Sequence, residues 1–270
     1  MQIVQEIHEG LIGRPYLGRA WYANTRGSIG HGKPAAVPDW LDYELWQGPA
    51  PRTPYRDNVV PYNWHWFWRW GTGEICNNAT HEIDVCRWAL QVDFPTRVTS
   101  AGGRFHFDDD WEMYDTQNAS YEFDNGTTIT WDGRSCNGQP VEGRSRGASI
   151  HGETGTVILD REGYEVYDND HRLLRRDILQ GGGSSLDTRG GGRLTDAHVE
   201  NFLNSIRGLD TPHSPVADAR KSALLCHLGN IAQRTDGALD CDPKTGRIVD
   251  DAAAMTHWTR EYEPGWEPGR

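Results

Sequence analysis

The sequence predicts an α+β fold, because its strand-like and helix-like segments are segregated along the chain. One strand comes first, followed by a long irregular segment and a helix. Four or five strands then follow one another in a meander, and two helices come last. A chain of this length can bury a hydrophobic core of its own, so we interpret residues 1–270 as a single domain.

The first elements are short and lead into an irregular segment. Residues 2–9 have helical periodicity and end at Gly10, and residues 15–22 (PYLGRAWY) are typical of a strand. The segment 23–63 is rich in Pro, Gly and Asn, and a loop this long is usually either functional or disordered. Aromatic residues are frequent in its second half, which argues against disorder.

A central helix is predicted over residues 75–91, which show a period of 3.6 residues. Its apolar stripe and its polar stripe lie on different faces. The apolar stripe consists of Ile75, Ala79, Ile83 and Cys86, and the other consists of Asn77, His81, Asp84 and Trp88.

The strands that follow are marked by their turns. Residues 97–107 resemble a strand, and Asp124-Asn125-Gly126 between two β-rich runs is a strong hairpin signal. Residues 147–160 and 164–168 continue the series of strands.

The last third contains a glycine-rich stretch and two helices. Residues 181–192 (GGGSSLDTRGGG) lack the spacing of a phosphate-binding loop and are predicted to be a mobile surface loop. Thr195 is a candidate N-cap for the first helix, which Gly208 ends. The second helix is predicted over residues 216–234.

Composition and charge exclude several classes of partner. A formal net charge of −12 argues against sequence-independent binding of nucleic acid, which needs a basic surface. No apolar run approaches the roughly 20 residues of a membrane-spanning helix, and residues 1–20 lack a secretion signal. The five cysteines form no CxxC pair, which favours reduced thiols. We therefore expect no membrane partner and a cytoplasmic location.

Residues 63–84 hold the densest group of chemically reactive side chains. Asn77, His81 and Asp84 have the spacing i, i+4, i+7, which places an amide, an imidazole and a carboxylate on one helical face. A histidine with a carboxylate one turn away serves as a general acid or base, or as an oriented metal ligand. The alternative is that this pair is structural and that the neighbouring tryptophans belong to the core.

The segment that contains these reactive side chains resembles a known protein family. Residues 71–90 (GTGEICNNATHEIDVCRWAL) look like the signature segment of the Gfo/Idh/MocA family of sugar oxidoreductases. There a glycine-rich turn enters a helix, and an acidic residue precedes a His that is followed three positions later by Asp. Segments 45–55, 102–117, 131–136, 198–208 and 224–234 also resemble members of this family from environmental bacteria, which implies a bacterial source. The resemblance implies an open, mostly antiparallel sheet packed against helices.

The chain departs from the family pattern in three ways. Full-length members begin with a Rossmann domain that carries a GxGxxG turn and a later Glu-Lys-Pro-type motif, and neither is found in these residues. Residues 7–13 (IHEGLIG) resemble the first segment after that domain. Asn77 occupies a position where many members have Asp, and an amide cannot accept a proton. NAD(P) is therefore not expected to bind this chain alone.

Two functional hypotheses of different classes follow. In the first, the chain is an NAD-independent, metal-dependent glycoside hydrolase or lyase that acts on small glycosides. Zinc or manganese is the expected metal. The candidate catalytic residues are His81, Glu74, Asp84 and Asp115; the candidate substrate-binding residues are Arg26, Trp64, Trp66, Trp68 and Asn77; the candidate metal ligands are His65, His81, His106 and Glu74.

In the second hypothesis, the chain is the substrate-binding and oligomerisation part of an NAD(P)-dependent sugar oxidoreductase whose Rossmann domain is missing or separate. A third possibility, a non-catalytic carbohydrate-binding module, does not need the His–Asp helix face. In each case the expected partner is a small sugar or glycoside. Because an open sheet must cover its exposed face, a homodimer or higher homo-oligomer is also predicted.

Overall fold

The computed structural model describes residues 2–178, 193–235 and 237–269, so the predicted loop 181–192 lies outside the described residues. Its helices are α1 (Gln2–His8), α2 (Tyr43–Trp46), α3 (Thr80–Leu90), α4 (Arg193–Ile206), α5 (Val216–Arg234) and α6 (Ala252–Met255). A 3₁₀ turn spans Asn63–Trp66, and a π-helical turn, Ile75–Ala79, leads directly into α3. None of these helices combines the length and the apolar character that crossing a bilayer requires.

The strands form a single open sheet of nine strands within the described ranges. They are β1 (Pro15–Ala23), β2 (Arg97–Gly103), β3 (Thr116–Glu122), β4 (Thr128–Arg134), β5 (Arg146–Gly152), β6 (Gly155–Leu159), β7 (Gly163–Asp168), β8 (Leu173–Ile178) and β9 (Ala238–Asp240). Their order is β8-β7-β6-β5-β1-β4-β3-β2-β9, and every neighbouring pair except β1–β4 is antiparallel. The predicted α+β class and the mostly antiparallel sheet are confirmed.

Three local predictions need correction. The strand predicted over 97–107 ends at Gly103, because the chain then leaves the sheet as a loop held by Asp115. β8 was not predicted, since all of its residues are exposed and its sequence shows no alternation. Helix α4 already begins at Arg193, so Thr195 lies inside the helix and cannot be its N-cap.

The core lies between one face of the sheet and helices α3 and α5. The apolar stripe predicted for the central helix is buried as expected, with Ile83 and Cys86 fully covered. The contact between β1 and α3 is close, because a Cβ atom on Gly18 would lie 2.8 Å from Cβ of Cys86. This close contact fixes the distance between α3 and β1.

The opposite face of the sheet is largely polar. Thr99, Asn118, Thr130 and Asp132 point to this side, where Arg19 lies beside Trp21. Little apolar surface therefore needs a partner here, and the argument for a homodimer from sheet coverage is weaker than the fold class suggested. A homo-oligomer stays a prediction.

Candidate functional site

The π turn brings two neighbouring amides to one carboxylate. Gly73, whose φ of +70° favours glycine, turns the chain into the helix, and Glu74 follows with a buried side chain. Asn77 Nδ2 donates to Glu74 Oε1 at 3.1 Å, and Asn78 Nδ2 donates to the same oxygen. A π turn adds one residue to the helical turn, which allows both amides to face Glu74.

Glu74 forms a partly buried ion pair with Arg26 from the irregular segment after β1. Arg26 Nε donates to Glu74 Oε2 at 2.7 Å, and the Ser135 hydroxyl donates to the same oxygen at 3.2 Å. The Arg26 guanidinium lies 5.0 Å from the ring of Trp66 and donates to Tyr62 Oη at 3.1 Å. Burial alone would lower the pKa of Arg26, but the charge and hydrogen bonds of Glu74 outweigh it and raise that pKa.

A second ion pair continues this arrangement beneath α3. Arg146 donates to Glu82 Oε1 from Nε at 2.8 Å and from Nη2 at 2.6 Å. Arg146 Nη1 also donates to Asn78 Oδ1 at 3.2 Å, so Asn78 bridges the two pairs. We call Arg26, Glu74, Arg146 and Glu82 the charge chain. Its positive and negative side chains alternate and attract one another, which holds the first turns of the helix against the ends of β1 and β5.

His81 stands at the other end of this helical face. Its ring is exposed at the mouth of a cavity of about 420 Å³ that Val85, Trp88, Arg161 and Tyr164 also line. Partial desolvation in this cleft lowers the pKa of His81, and the positive charges of Arg161 and Arg146 lower it further. Its imidazole is therefore neutral near pH 7 and able to accept a proton.

The pKa of His81 can be measured directly. By NMR, the His81 ring should titrate below the usual value of about 6.5, whereas exposed His31 should titrate above it because Asp110 raises its pKa. The unfolded chain then binds more protons than the folded chain just below pH 6.5. The contribution of His81 to the free energy of unfolding is thus complete above that pH and is lost as the pH falls through the folded pKa. A His81 midpoint at or above that of His31 would contradict this assignment.

Two predicted catalytic carboxylates have structural partners. Asp84 accepts a hydrogen bond from the Ser222 hydroxyl of α5 and lies 3.6 Å from Arg87. Asp115 is buried and accepts the backbone N–H groups of Phe105 and His106. Burial opposes its ionisation, but these hydrogen bonds lower the pKa of Asp115. An ionised Asp115 has no proton to give and does not act as a general acid.

The three tryptophans predicted to bind the substrate lie in several different places. Trp66 is buried and stacks on Trp111 with a centroid separation of 4.0 Å. Trp64 stacks on His65 at 3.8 Å, and Trp68 lies beneath Arg234 in a different cavity. Alternate residues of an irregular turn point in different directions, so only Trp66 borders the charge chain.

The predicted metal ligands do not converge. His65 contacts the carbonyl oxygen of Tyr62, His81 faces its own cleft, and both oxygens of Glu74 already accept hydrogen bonds. Across the described ranges, the one group of three side chains with metal-ligand spacing is His106, Asp115 and Cys136. There Arg104 Nε lies 3.4 Å from Asp115, and burial raises the pKa of Cys136 to about 11. His65, His81, His106 and Glu74 therefore do not meet at one site, and zinc or manganese binding stays a prediction.

Several site residues escaped prediction from the sequence. Tyr22, Glu82, Ser135 and Arg146 all come from segments that looked like ordinary strand, helix or turn. Tyr22 and Arg146 are paired across β1 and β5, and the Arg146 guanidinium lies 5.5 Å from the Tyr22 ring. A charged residue at the start of an otherwise apolar strand was the only available signal for Arg146.

The fold matches solved structures of oxidoreductases at low sequence identity. They include levoglucosan dehydrogenase in complex with NADH and levoglucosan (TM-score 0.60, 17% identity, 87% of this chain and 61% of that one). A putative oxidoreductase from Thermotoga maritima has a TM-score of 0.57, with 16% identity over 88% of this chain and 58% of that one. An oxidoreductase from Agrobacterium radiobacter, in complex with NAD+, L-tartaric acid and magnesium, has a TM-score of 0.54 and 16% identity, over 88% and 60%.

The chain spans about three fifths of the length of these structures, and at such identities the likeness shows the fold alone. No curated protein matches the sequence. A family model described as "Oxidoreductase family, C-terminal alpha/beta domain" matches residues 13–159, more than half of the chain. The prediction of an NAD-independent glycoside hydrolase is therefore wrong, since the matched family is one of oxidoreductases. The chain belongs to the Gfo/Idh/MocA oxidoreductase family and contains its C-terminal α/β domain.

Proposed function

We propose that this chain forms the substrate-binding part of an NAD(P)-dependent oxidoreductase that acts on a small, polyhydroxylated, sugar-like substrate. The observation that carries this is the position of Asn77 in the π turn and of His81 four residues later in the first turn of α3, next to the charge chain. Family membership supports the reaction class, and the similar levoglucosan dehydrogenase supports a sugar-like substrate.

The polar groups of this face suit hydroxyl groups of a substrate. Because Asn77 donates its amide N–H to Glu74, its carbonyl oxygen is oriented away as an acceptor. Tyr62 Oη accepts from Arg26, which leaves its own O–H free to donate. Sugar hydroxyls both donate and accept, so a site that offers an acceptor and a donor discriminates in favour of them.

His81 is the group we assign to proton transfer. Oxidation of a secondary alcohol removes the hydroxyl proton as the carbonyl forms, and a neutral imidazole within reach accepts it. Asn77 cannot take that proton, so it orients the hydroxyl while His81 acts as the base. Glu74 positions Asn77 through its hydrogen bond and does not itself touch the substrate.

The described residues do not fit a dinucleotide. Among them only β1 and β4 are parallel, and the connection between these strands contains β2 and β3 of the same sheet. A dinucleotide site needs a strand, a glycine-rich turn and a helix within one βαβ unit. We therefore place the nicotinamide nucleotide on a separate nucleotide-binding domain, carried by the same polypeptide or by another.

Substrate binding can be tested on the chain by itself. Titration with cyclic polyols and anhydrosugars, followed by NMR, should shift the signals of Tyr62, Asn77 and His81. The Asn77→Leu variant should bind about 10-fold more weakly or worse, because loss of one hydrogen bond to a polar ligand costs roughly 1–3 kcal/mol. Asn118→Leu, on the polar face of the sheet, should bind as the original chain does. Equal affinities of the two variants would refute the proposed site.

A further inference from the structure

Cys76 lies on the side of the π turn that faces α5, away from Asn77 and Glu74. Its Sγ is 4.0 Å from Nδ1 of His227, and Asn230 Nδ2 donates to it at 3.8 Å. Asn230 is held in place because it also donates to the carbonyl oxygen of Thr72 at 2.7 Å. Cys76 is partly exposed as a residue, and groups that donate hydrogen bonds surround its thiol.

These neighbouring groups favour the deprotonated form of Cys76. The thiol of Cys226 and the imidazole of His227 stabilise the Cys76 thiolate and lower the pKa of Cys76 to about 5. The thiolate in turn raises the pKa of His227, and Cys226, fully buried, has its pKa raised and stays protonated. Tyr121 of β3 also faces this group, and burial raises its pKa, so it is neutral. A thiolate next to an imidazolium is a nucleophile.

The groups around this thiol border a cavity of about 760 Å³. Thr72, His227 and Asn230 line it together with three arginines, Arg69, Arg234 and Arg260.

The three arginines bind carbonyl oxygens or an aromatic ring. Arg69 donates to the carbonyl oxygen of Pro51, Arg260 donates to that of Arg69, and Arg234 lies over Trp68. None of the three forms an ion pair with a carboxylate of the described residues. Glu112 and Glu261 also line the cavity, so three guanidinium groups face two carboxylates. In a chain with a net charge of −12, this surplus of positive charge attracts anions.

We propose that Cys76, with His227 and Asn230, forms a nucleophilic modification site for small carboxylate-bearing electrophiles that enter this cavity. The site is separate from the helical face assigned to the substrate, and its test does not depend on that function. With an unsaturated dicarboxylate, the Cys76 sulfur forms a bond to one alkene carbon as the C=C π bond breaks. The proton goes from His227 to the adjacent carbon, and no oxidant or reductant is consumed.

Alkylation followed by peptide mass spectrometry tests this site on the full chain. At about pH 6.5, iodoacetamide should modify Cys76 on the order of 50-fold faster than Cys136. This estimate combines the larger thiolate fraction of Cys76 with the lower intrinsic reactivity of a weakly basic thiolate. Each reaction forms an S–C bond and releases iodide. The rate at Cys76 should stay constant down to about pH 6, whereas the rate at Cys136 should keep falling.

Two sets of variants assign the contributing residues. His227→Gln should slow alkylation of Cys76 by at least about 5-fold at that pH, through a smaller thiolate fraction, whereas His257→Gln, in the same cavity, should not. The Arg234→Gln/Arg260→Gln double variant should reduce the rate ratio of anionic iodoacetate to neutral iodoacetamide by at least about 3-fold. Circular dichroism confirms that each variant is folded. Equal rates at Cys76 and Cys136, or equal effects of the two histidine variants, would overturn the proposal.

Discussion

Replacement of His81 by asparagine is expected to lower kcat by roughly 10²–10⁴-fold, the usual contribution of a general base. The assay measures nicotinamide reduction by the assembled enzyme, in which this chain is combined with its nucleotide-binding domain. KM should change little, because the substrate contacts proposed for Asn77 and Tyr62 do not involve the His81 ring. The remaining activity should lose the pH dependence on the acid side that the lowered pKa of His81 imposes.

His151 provides the matched control. It lies in β5, and its pKa is also lowered by burial, but it bonds to Ser149 and Thr156 on the sheet and not to the helical face. His151→Asn should retain kcat and its pH profile. His81 is not the base if His81→Asn retains kcat. The same conclusion follows if His151→Asn loses as much kcat as His81→Asn does.

Replacement of Glu74 by glutamine is expected to lower the free energy of unfolding by about 3–5 kcal/mol. The substitution leaves the Arg26 charge, which is only 17% exposed, without its counter-ion beneath Tyr62 and beside Trp66. The glutamine also places an amide N–H group where Glu74 had a carboxylate oxygen. That N–H group then faces the N–H donors of Asn77 and Asn78, which lose their acceptor. Urea unfolding followed by circular dichroism measures the change, with an unchanged m-value as the sign of an intact fold.

An exposed ion pair distinguishes this effect from a general response to charge removal. Glu153 pairs with Arg14 at 3.1 Å, and both side chains are more than half exposed. Glu153→Gln should therefore cost less than about 1 kcal/mol. A similar small change for Glu74→Gln would show that the charge chain does not stabilise the fold.

The two substitutions distinguish a loss of catalysis from a loss of stability. His81→Asn should lose catalysis while the free energy of unfolding stays close to its original value. Glu74→Gln should lose stability, and any loss of substrate binding follows from displacement of Asn77. The opposite pattern would exchange the roles assigned to these residues.

The sequence of these residues contains no dinucleotide motif, which favours metal chemistry over hydride transfer when the sequence is considered alone. Metal ligation, however, requires that distant side chains converge, and His65, His81 and His106 lie at three separate places. The histidine spacing of a sequence contains no information on such convergence unless two ligands share one element.

The α+β class, the family and most elements were accessible from the sequence. Period-2 and period-3.6 patterns report which side of a strand or helix is buried, and that information is local. The buried stripe of Ile83 and Cys86 was predictable for this reason, and the Asp124-Asn125-Gly126 hairpin was predictable from its turn residues. β8 was missed because an exposed edge strand buries nothing and leaves no such pattern.

Only the tertiary structure decided which partner each polar group meets. The helical spacing of Asn77, His81 and Asp84 is a property of the sequence, but Asp84 turns to Ser222, and Asn77 turns to Glu74. Long-range pairing of β1 with β5 brings Arg146 under the helix, where it meets Glu82. Hydrogen bonds and ion pairs act over a few ångströms between residues far apart in the chain, so their partners depend on the packing of the whole sheet. The sequence determined the chemistry available on each element, and the fold determined which of those groups act together.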